Sequence, residues 1–252
     1  MVDRDSLAAH FAQTLQPQLF KDYGPNGLQV EGRAHIARLV SGVTASRALI
    51  EQAIEAKADA VVVHHGLFWR GQTGCITGWM KQRVALLLAH NINLFAYHLP
   101  LDAHAELGNN AQLGRLLGFV PDAAGWQRFG EQQLGFVGQT QHASPQALAQ
   151  HIEQVLGRSV TLVPGAAGPV ERVGWCTGGA QGYFEAAIEA GVQAFITGEI
   201  SEPQAHYARE CGVSFLACGH HATERYGVQA LGAQAAKALG IEHVFIEVDN
   251  PA

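Results

Sequence analysis

The chain repeats itself, and the repeat limits what it can fold into. Residues 53–63, AIEAKADAVVV, return as AIEAGVQAFIT at 187–197. The match sits inside a longer alternation. ARLVSGVT (37–44), SRALIEQAIEAKAD (46–59) and AVVVHH (60–65) have counterparts in ERVGWCTG (171–178), AQGYFEAAIEAGVQ (180–193) and AFITGE (194–199). MKQRVALLLAH (80–90) and NLFAYH (93–98) answer to PQAHYAREC (203–211) and SFLACG (214–219). Short apolar runs rich in β-branched residues read as buried strands, and the segments between them carry helical spacing. Each half is therefore β-α-β-α-β, which predicts an α/β fold of two duplicated halves, with mostly parallel or mixed sheets covered by helices.

The first half is expected to occupy residues 1–125 and the second 126–252, divided within the Pro/Gly/Ala-rich connection at 119–126. A helix at 3–15 places Leu7, Phe11 and Leu15 on one face. Pro25-Asn26-Gly27 marks a turn before a short strand. Residues 108–117 read as helical. Residues 134–163 hold a strand, a helix opened by Ser144-Pro145 and a second strand, an insert that extends the second half. A helix at about 226–239 and a strand at 243–248 close the chain and are free to pack on the first half.

In open α/β sheets, ligands gather beyond the carboxyl ends of the strands. Three of the apolar runs end there in histidines and carboxylates: His64 and His65; His98, Asp102 and His104; His220, His221 and Glu224. Six of the thirteen histidines thus follow three strands. Imidazole and carboxylate without thiolate suit zinc, iron, manganese or nickel. His220 and Glu224 share a face if a helical turn begins at 220. Adjacent His64 and His65 point oppositely on an ideal strand, so both serve only where the strand is ending or if they hold different ions, which favours two metals. His98, His104 and His221 read equally as neighbours that orient ligands or as structural residues. Glu199 stands where His65 stands in the first half, and either touches substrate, orients a ligand or bonds to nearby amides. Phe68, Trp69 and Tyr97 read as packing, and Cys218 as a buried hydrophobe. The glycines of 178–182 fit a tight turn better than an anion cradle.

Other classes are argued against. A formal charge of −6 without a Lys/Arg cluster speaks against a phosphate-backbone partner. Four cysteines lack CxxC spacing. Residues 1–11 carry Asp3, Arg4 and Asp5 instead of an apolar signal core, and no run suits a membrane span, so a cytoplasmic protein is expected. Walker, GxSxG and GxGxxG motifs are missing.

The motifs PNGLQVEG (25–32), VTASRAL (43–49), VVVHHGLFW (61–69), HLPLDAH (98–104), GNNAQL (108–113), TGEISE (197–202) and GHHATER (219–225) resemble the Nif-three-like family, whose bacterial members carry the label GTP cyclohydrolase 1 type 2 homologue. The resemblance covers nearly the whole chain, in the short form without an inserted domain. It implies a dinuclear centre between the halves, with two divalent ions held by His64, His65, Asp102, His220 and Glu224, the last bridging. It also implies a homohexameric ring, or toroid, with the metal sites facing its cavity. The expected activity is that of a metal-dependent hydrolase, acting through a metal-bridging water on a nucleotide or other small polar substrate; nothing in the sequence selects GTP. The alternatives are a non-catalytic metal-binding or metal-delivery protein and a ring-shaped scaffold.

Overall fold

The computed structural model describes residues 1–252. The chain divides into two compact units, residues Met1–Gly108 with Gly227–Asp249, and Asn109–Tyr226 with Asn250–Ala252. The division falls at 108/109, before the expected connection at 119–126, because the helix after Gly108 packs in the second unit and Val120 pairs with Gln139 there.

In chain order the first unit contains β1 (Val2–Asp3), α1 (Arg4–Leu15), β2 (Gly27–Val30), β3 (His35–Ile36), β4 (Arg38–Thr44), α2 (Arg47–Glu55), β5 (Ala60–His65), α3 (Gly78–Ala89), β6 (Asn93–Ala96) and α4 (Leu99–Ala103). The second contains α5 (Asn109–Leu116), β7 (Gln127–Phe129), β8 (Gly135–His142), α6 (Pro145–Leu156), β9 (Thr161–Val163), β10 (Val170–Trp175), α7 (Phe184–Glu189), β11 (Ala194–Thr197), α8 (Glu202–Cys211) and β12 (Ser214–Ala217). α9 (His220–Leu239) starts in the second unit and continues into the first, where β13 (Glu242–Phe245) completes a sheet.

The first sheet runs β13-β4-β5-β6-β2, parallel except for β2. Strand periodicity divides it cleanly. Val61 and Val63 face a core closed by α2 and α3, while Ala60 and Val62 face one shared with Leu7 and Phe11 of α1 and Val228 and Leu231 of α9. A strand apolar on both faces is what a sheet covered on both sides requires. Ser46 starts α2, its Oγ accepting from Leu49 N at 3.1 Å.

The second sheet runs β7-β8-β10-β11-β12-β9, with β10, β11 and β12 parallel. Trp175, Ile196 and Leu216 pack with α5 and α6. Phe195 also meets Phe184 and Phe215 at ring-centroid distances of 5.7 and 5.6 Å. In α6 the N-cap is Ser144, Pro145 takes the first position, and Gly157 ends the helix at φ +71°.

The α/β fold with repeated halves is as expected, and the repeat reaches further than its sequence signal. β4-β5-β6-β2 and β10-β11-β12-β9 have the same order, with an antiparallel strand at the end. The α6–β9 portion of the apparent insert at 134–163 thus supplies to the second sheet what α1 and β2 supply to the first. Two boundaries near the end of the chain also differ from expectation. The last helix begins at His220 and not near 226, because Gly219, at φ +97°, turns the chain directly into it. The last strand occupies 242–245 in place of 243–248, where its pairing with β4 ends.

Candidate metal centre

In the first unit β5 delivers His64 and His65 at its carboxyl end, where the ladder with β6 has already stopped at Val63–Ala96. His64 is fully buried, and its Nδ1 lies 3.0 Å from the carbonyl oxygen of Tyr97. A carbonyl only accepts, so Nδ1 carries the hydrogen and Nε2 holds the lone pair in the neutral ring. That Nε2 stands 3.5 Å from Asp102 Oδ1. A nitrogen lone pair facing a carboxylate oxygen calls for a proton or a cation between them. His65 Nδ1 lies 3.2 Å from Thr44 Oγ1. His98 follows β6, with Nδ1 2.7 Å from Asp22 Oδ1, and the first turn of α4 then carries Asp102, which is 6% exposed.

The ligand atoms of His64, His65 and His98 lie within 4.8 Å of one another, a set that could hold a metal ion. Each ring is oriented through Nδ1 by a partner of its own, the arrangement typical of histidines that offer Nε2 to a metal. Burial by itself would raise the Asp22 carboxyl, but hydrogen bonds from His98 and Asn26, the charge on His98 and the N–H of Tyr23 outweigh it and hold the group below its ordinary value.

In the second unit His220 opens α9 between two carboxylates. Its Nδ1 is 2.6 Å from Glu199 Oε1, and its Nε2 is 3.3 Å from Glu224 Oε2, one helical turn on. Glu224 is 3% exposed. Burial would depress the His220 imidazole, but Glu224 first and Glu199 second push it up to about 9. The metal-free ring is therefore an imidazolium clamped between two acids, and any cation that takes Nε2 must displace a proton. The glycines at 178 and 179 leave room for this group. Gly178 sits at φ +71°, and a Cβ there would collide with Glu224 Oε1. Its N–H donates to Thr223 Oγ1 at 3.0 Å.

The remaining expected residues have other partners. His104 Nδ1 accepts from the N–H groups of Glu106 and Leu107 at 3.2 and 3.0 Å, closing the turn after α4. The N–H of His221 donates to the carbonyl of Ala252 at 3.1 Å. Trp69 and Tyr23 set their rings edge-on to His98, at 5.0 and 6.1 Å, whereas Tyr97 lies in the core against Phe11. Sequence reasoning missed Asp22, Asn26 and Thr44. No strand end announces Asp22, which lies in the loop after α1; its one local trace is the i,i+4 pairing with Asn26.

The Duf34/NIF3 (NGG1p interacting factor 3) family profile matches residues 2–251. The chain belongs to the DUF34/NIF3 family. A Neisseria meningitidis relative named GTP cyclohydrolase 1 type 2 homolog is 52% identical over 253 aligned positions, covering 100% of both chains. A Pseudomonas aeruginosa relative of the same name is 52% identical over 233 positions, covering 92% of each. Among solved structures, protein ybgI, described as of unknown function, superposes with a TM-score of 0.92 at 44% identity over 100% of both chains. TTHA1606 from Thermus thermophilus gives 0.86 at 32% identity, again over 100% of both. Like these NIF3 relatives the chain has a mixed α/β fold, and its His/Asp/Glu groups could hold a metal ion. No helix is long and apolar enough to cross a membrane.

Proposed function

We propose that this NIF3 protein holds two divalent cations through His64, His65, Asp102, His220 and Glu224, and that it is a metal-dependent hydrolase of a nucleotide or other small polar molecule. The observation that carries the reading is the fixed tautomer of His64, whose lone-pair nitrogen is aimed at a buried carboxylate 3.5 Å away. Donor counting supports the rest. One tetrahedral ion takes four ligands, so five residues exceed one ion's need, while neither unit's share suffices for two. In the proposal both sets serve one pair of ions, and Glu224, with two oxygens, is the residue shared between them.

Bound there, the cations would lower the pKa of coordinated water and polarise the bond under attack. This chain's own residues would do the holding. Tyr97 O, Thr44 and Glu199 orient imidazoles, and Glu224 and Asp102 would offset the cationic charge. A homohexameric ring is proposed on family resemblance alone, and light scattering that finds a monomer at micromolar concentration contradicts it.

The test is turnover on a panel of nucleotides and small phosphate or amide substrates, with metal exchange followed alongside. A hydrolase retains its ions through turnover. Release of the ions to an apo acceptor, with no substrate consumed, would instead establish the metal-delivery alternative.

A further inference from the structure

Asp22 is a buried carboxylate surrounded by donors. Its side chain is 3% exposed. Oδ1 accepts from His98 Nδ1 at 2.7 Å and from the N–H of Tyr23 at 2.6 Å; Oδ2 accepts from the N–H of Leu99 at 2.9 Å and from Asn26 Nδ2 at 2.8 Å. Asn26 returns the contact through Oδ1, which accepts the N–H of His98 at 2.8 Å. Two side chains of one loop thus hold the ring and backbone of His98 and the first residue of α4, three positions before Asp102.

From this geometry we propose that Asp22 is the positioning residue of the first unit's donor set, fixing His98 as the Nδ1–H tautomer so that its Nε2 presents a lone pair toward His64 and His65. The inference deepens the metal reading above and rests on it. A carboxylate offers acceptors only, so the hydrogen of a neutral His98 must sit on Nδ1. The other nitrogen is then an acceptor by necessity, on a ring that forms with His64 and His65 a cluster in which one ligand atom of each lies within 4.8 Å of the others. A ring carrying hydrogen on Nε2 would point a positive N–H into the space where a cation is to be held. Removing that possibility is the chemical service Asp22 performs, and through Leu99 the same carboxylate steadies the turn that carries Asp102.

Asp22→Asn separates this role from simple packing, because it preserves shape and exchanges one acceptor for a donor. An amide NH2 placed beside Leu99 N–H and Asn26 Nδ2 would face two donors. Placed beside His98 it faces one fixed donor, the N–H of Tyr23, and a ring that can adapt by moving its hydrogen to Nε2. The variant should therefore switch the tautomer of His98, read from long-range 15N–1H NMR correlations of the metal-free protein at a pH where the ring is neutral. Affinity for Zn2+, measured by calorimetry, should fall about 10-fold, the low end of what loss of a ligand-orienting partner costs, because His98 stands beside the five proposed ligands and is not one of them. Asp22→Glu keeps both acceptor oxygens and should keep the Nδ1–H form, so it carries the tautomer test should the amide variant fail to fold.

An Nδ1–H ring in Asp22→Asn overturns the inference, as does an Nε2–H ring in Asp22→Glu. A switched ring with unchanged Zn2+ affinity also overturns it, while leaving the metal reading intact. Failure of the metal reading shows itself separately, as a wild-type chain that takes up no ion.

Discussion

The two units share a frame at the amino ends of their strands and differ at the carboxyl ends. Before β5, Asp59 Oδ2 accepts the N–H groups of Ala37 and Arg38 at 2.7 and 2.9 Å; before β11, Gln193 Oε1 accepts those of Glu171 and Arg172 at 2.7 and 2.9 Å. Arg38 reaches the carbonyl of Ala56, and Arg172 that of Ala190. Asn93 Oδ1 holds the N–H of Gly32, and Ser214 Oγ that of Gly165. At the other end the correspondence in side chains lapses. His64 and His65 stand opposite Gly198 and Glu199, and Thr44 opposite Gly178. The first unit loads two imidazoles directly on the end of β5 and adds Asp102 from α4, while the second clears that space with glycine and supplies donors from the first turns of α9. A duplicated scaffold keeps the hydrogen bonds that set strand register and varies the edge where chemistry is done.

If the amino-end bonds set the frame, their loss should cost folding and spare the donors. Asp59→Ala leaves two backbone N–H groups without their acceptor in a buried setting and should destabilise the chain by about 3 kcal/mol. Gln193→Ala, at an exposed position without charge, should cost about 1 kcal/mol. Equilibrium denaturation checks both, and equal costs would break the comparison.

At the carboxyl ends the expectation reverses. Gly178→Ala should cost about 2 kcal/mol, from the left-handed backbone and the contact with Glu224 together, and should disturb metal uptake by the second unit's donors. Thr44→Val exchanges only the hydroxyl beside His65 for a methyl and should leave stability within about 1 kcal/mol of the wild type. Parallel thermal melts and metal titrations on the two variants sharpen this contrast.

The His220 imidazolium adds a dependence on pH. Its folded value, about 9, lies above the ordinary imidazole range. The stability it contributes is therefore complete below about pH 6.5 and is lost as pH rises through about 9. Metal-free protein should weaken across that window, and His220→Gln should flatten the curve. The same displaced proton means that divalent affinity should strengthen as pH rises through the window. An unchanged slope in His220→Gln would show that another group carries it.

The smallest effect concerns helix starts. Ser46 caps α2 through its hydroxyl, while Tyr183 precedes the equivalent α7 without a side-chain cap. Ser46→Ala should cost about 1 kcal/mol, and a similar loss in Tyr183→Phe would show that the tyrosine hydroxyl, 3.2 Å from the carbonyl of Glu131, does comparable work from outside the helix.

Much of the fold was legible because it is written in periodicity. AVVVHH and the AFIT of AFITGE sit in buried parallel strands, and Ser144-Pro145 opens a helix as its chemistry requires. The kinship of α6–β9 with α1–β2 was not legible, since antiparallel edge strands tolerate divergent residues once their partner strand is fixed. The start of α9 was obscured because Gly219-His220-His221 reads as a strand ending, and the helical register of His220 and Glu224 was its only trace. In the site, residues that hold donors in place were hidden for a related reason. Asp22 acts on His98 across 76 positions of sequence, and a loop carboxylate looks the same whether it faces solvent or an imidazole. Strand ends advertise ligands, whereas the groups that orient ligands are identified only by contact.

The central claim is that five side chains hold two divalent ions, and it is tested most directly by elemental analysis of metal per chain in the wild type and in His64→Ala, His220→Ala and Glu224→Ala, each checked by circular dichroism for intact secondary structure. The account predicts about two ions in the wild type, loss of one in either histidine variant, and loss of both in Glu224→Ala, because an imidazole has one nitrogen for a metal while a carboxylate has two oxygens. A wild-type ratio near one or zero after metal supplementation would contradict it, as would a Glu224→Ala chain that keeps a full ion while a single histidine change empties both sites.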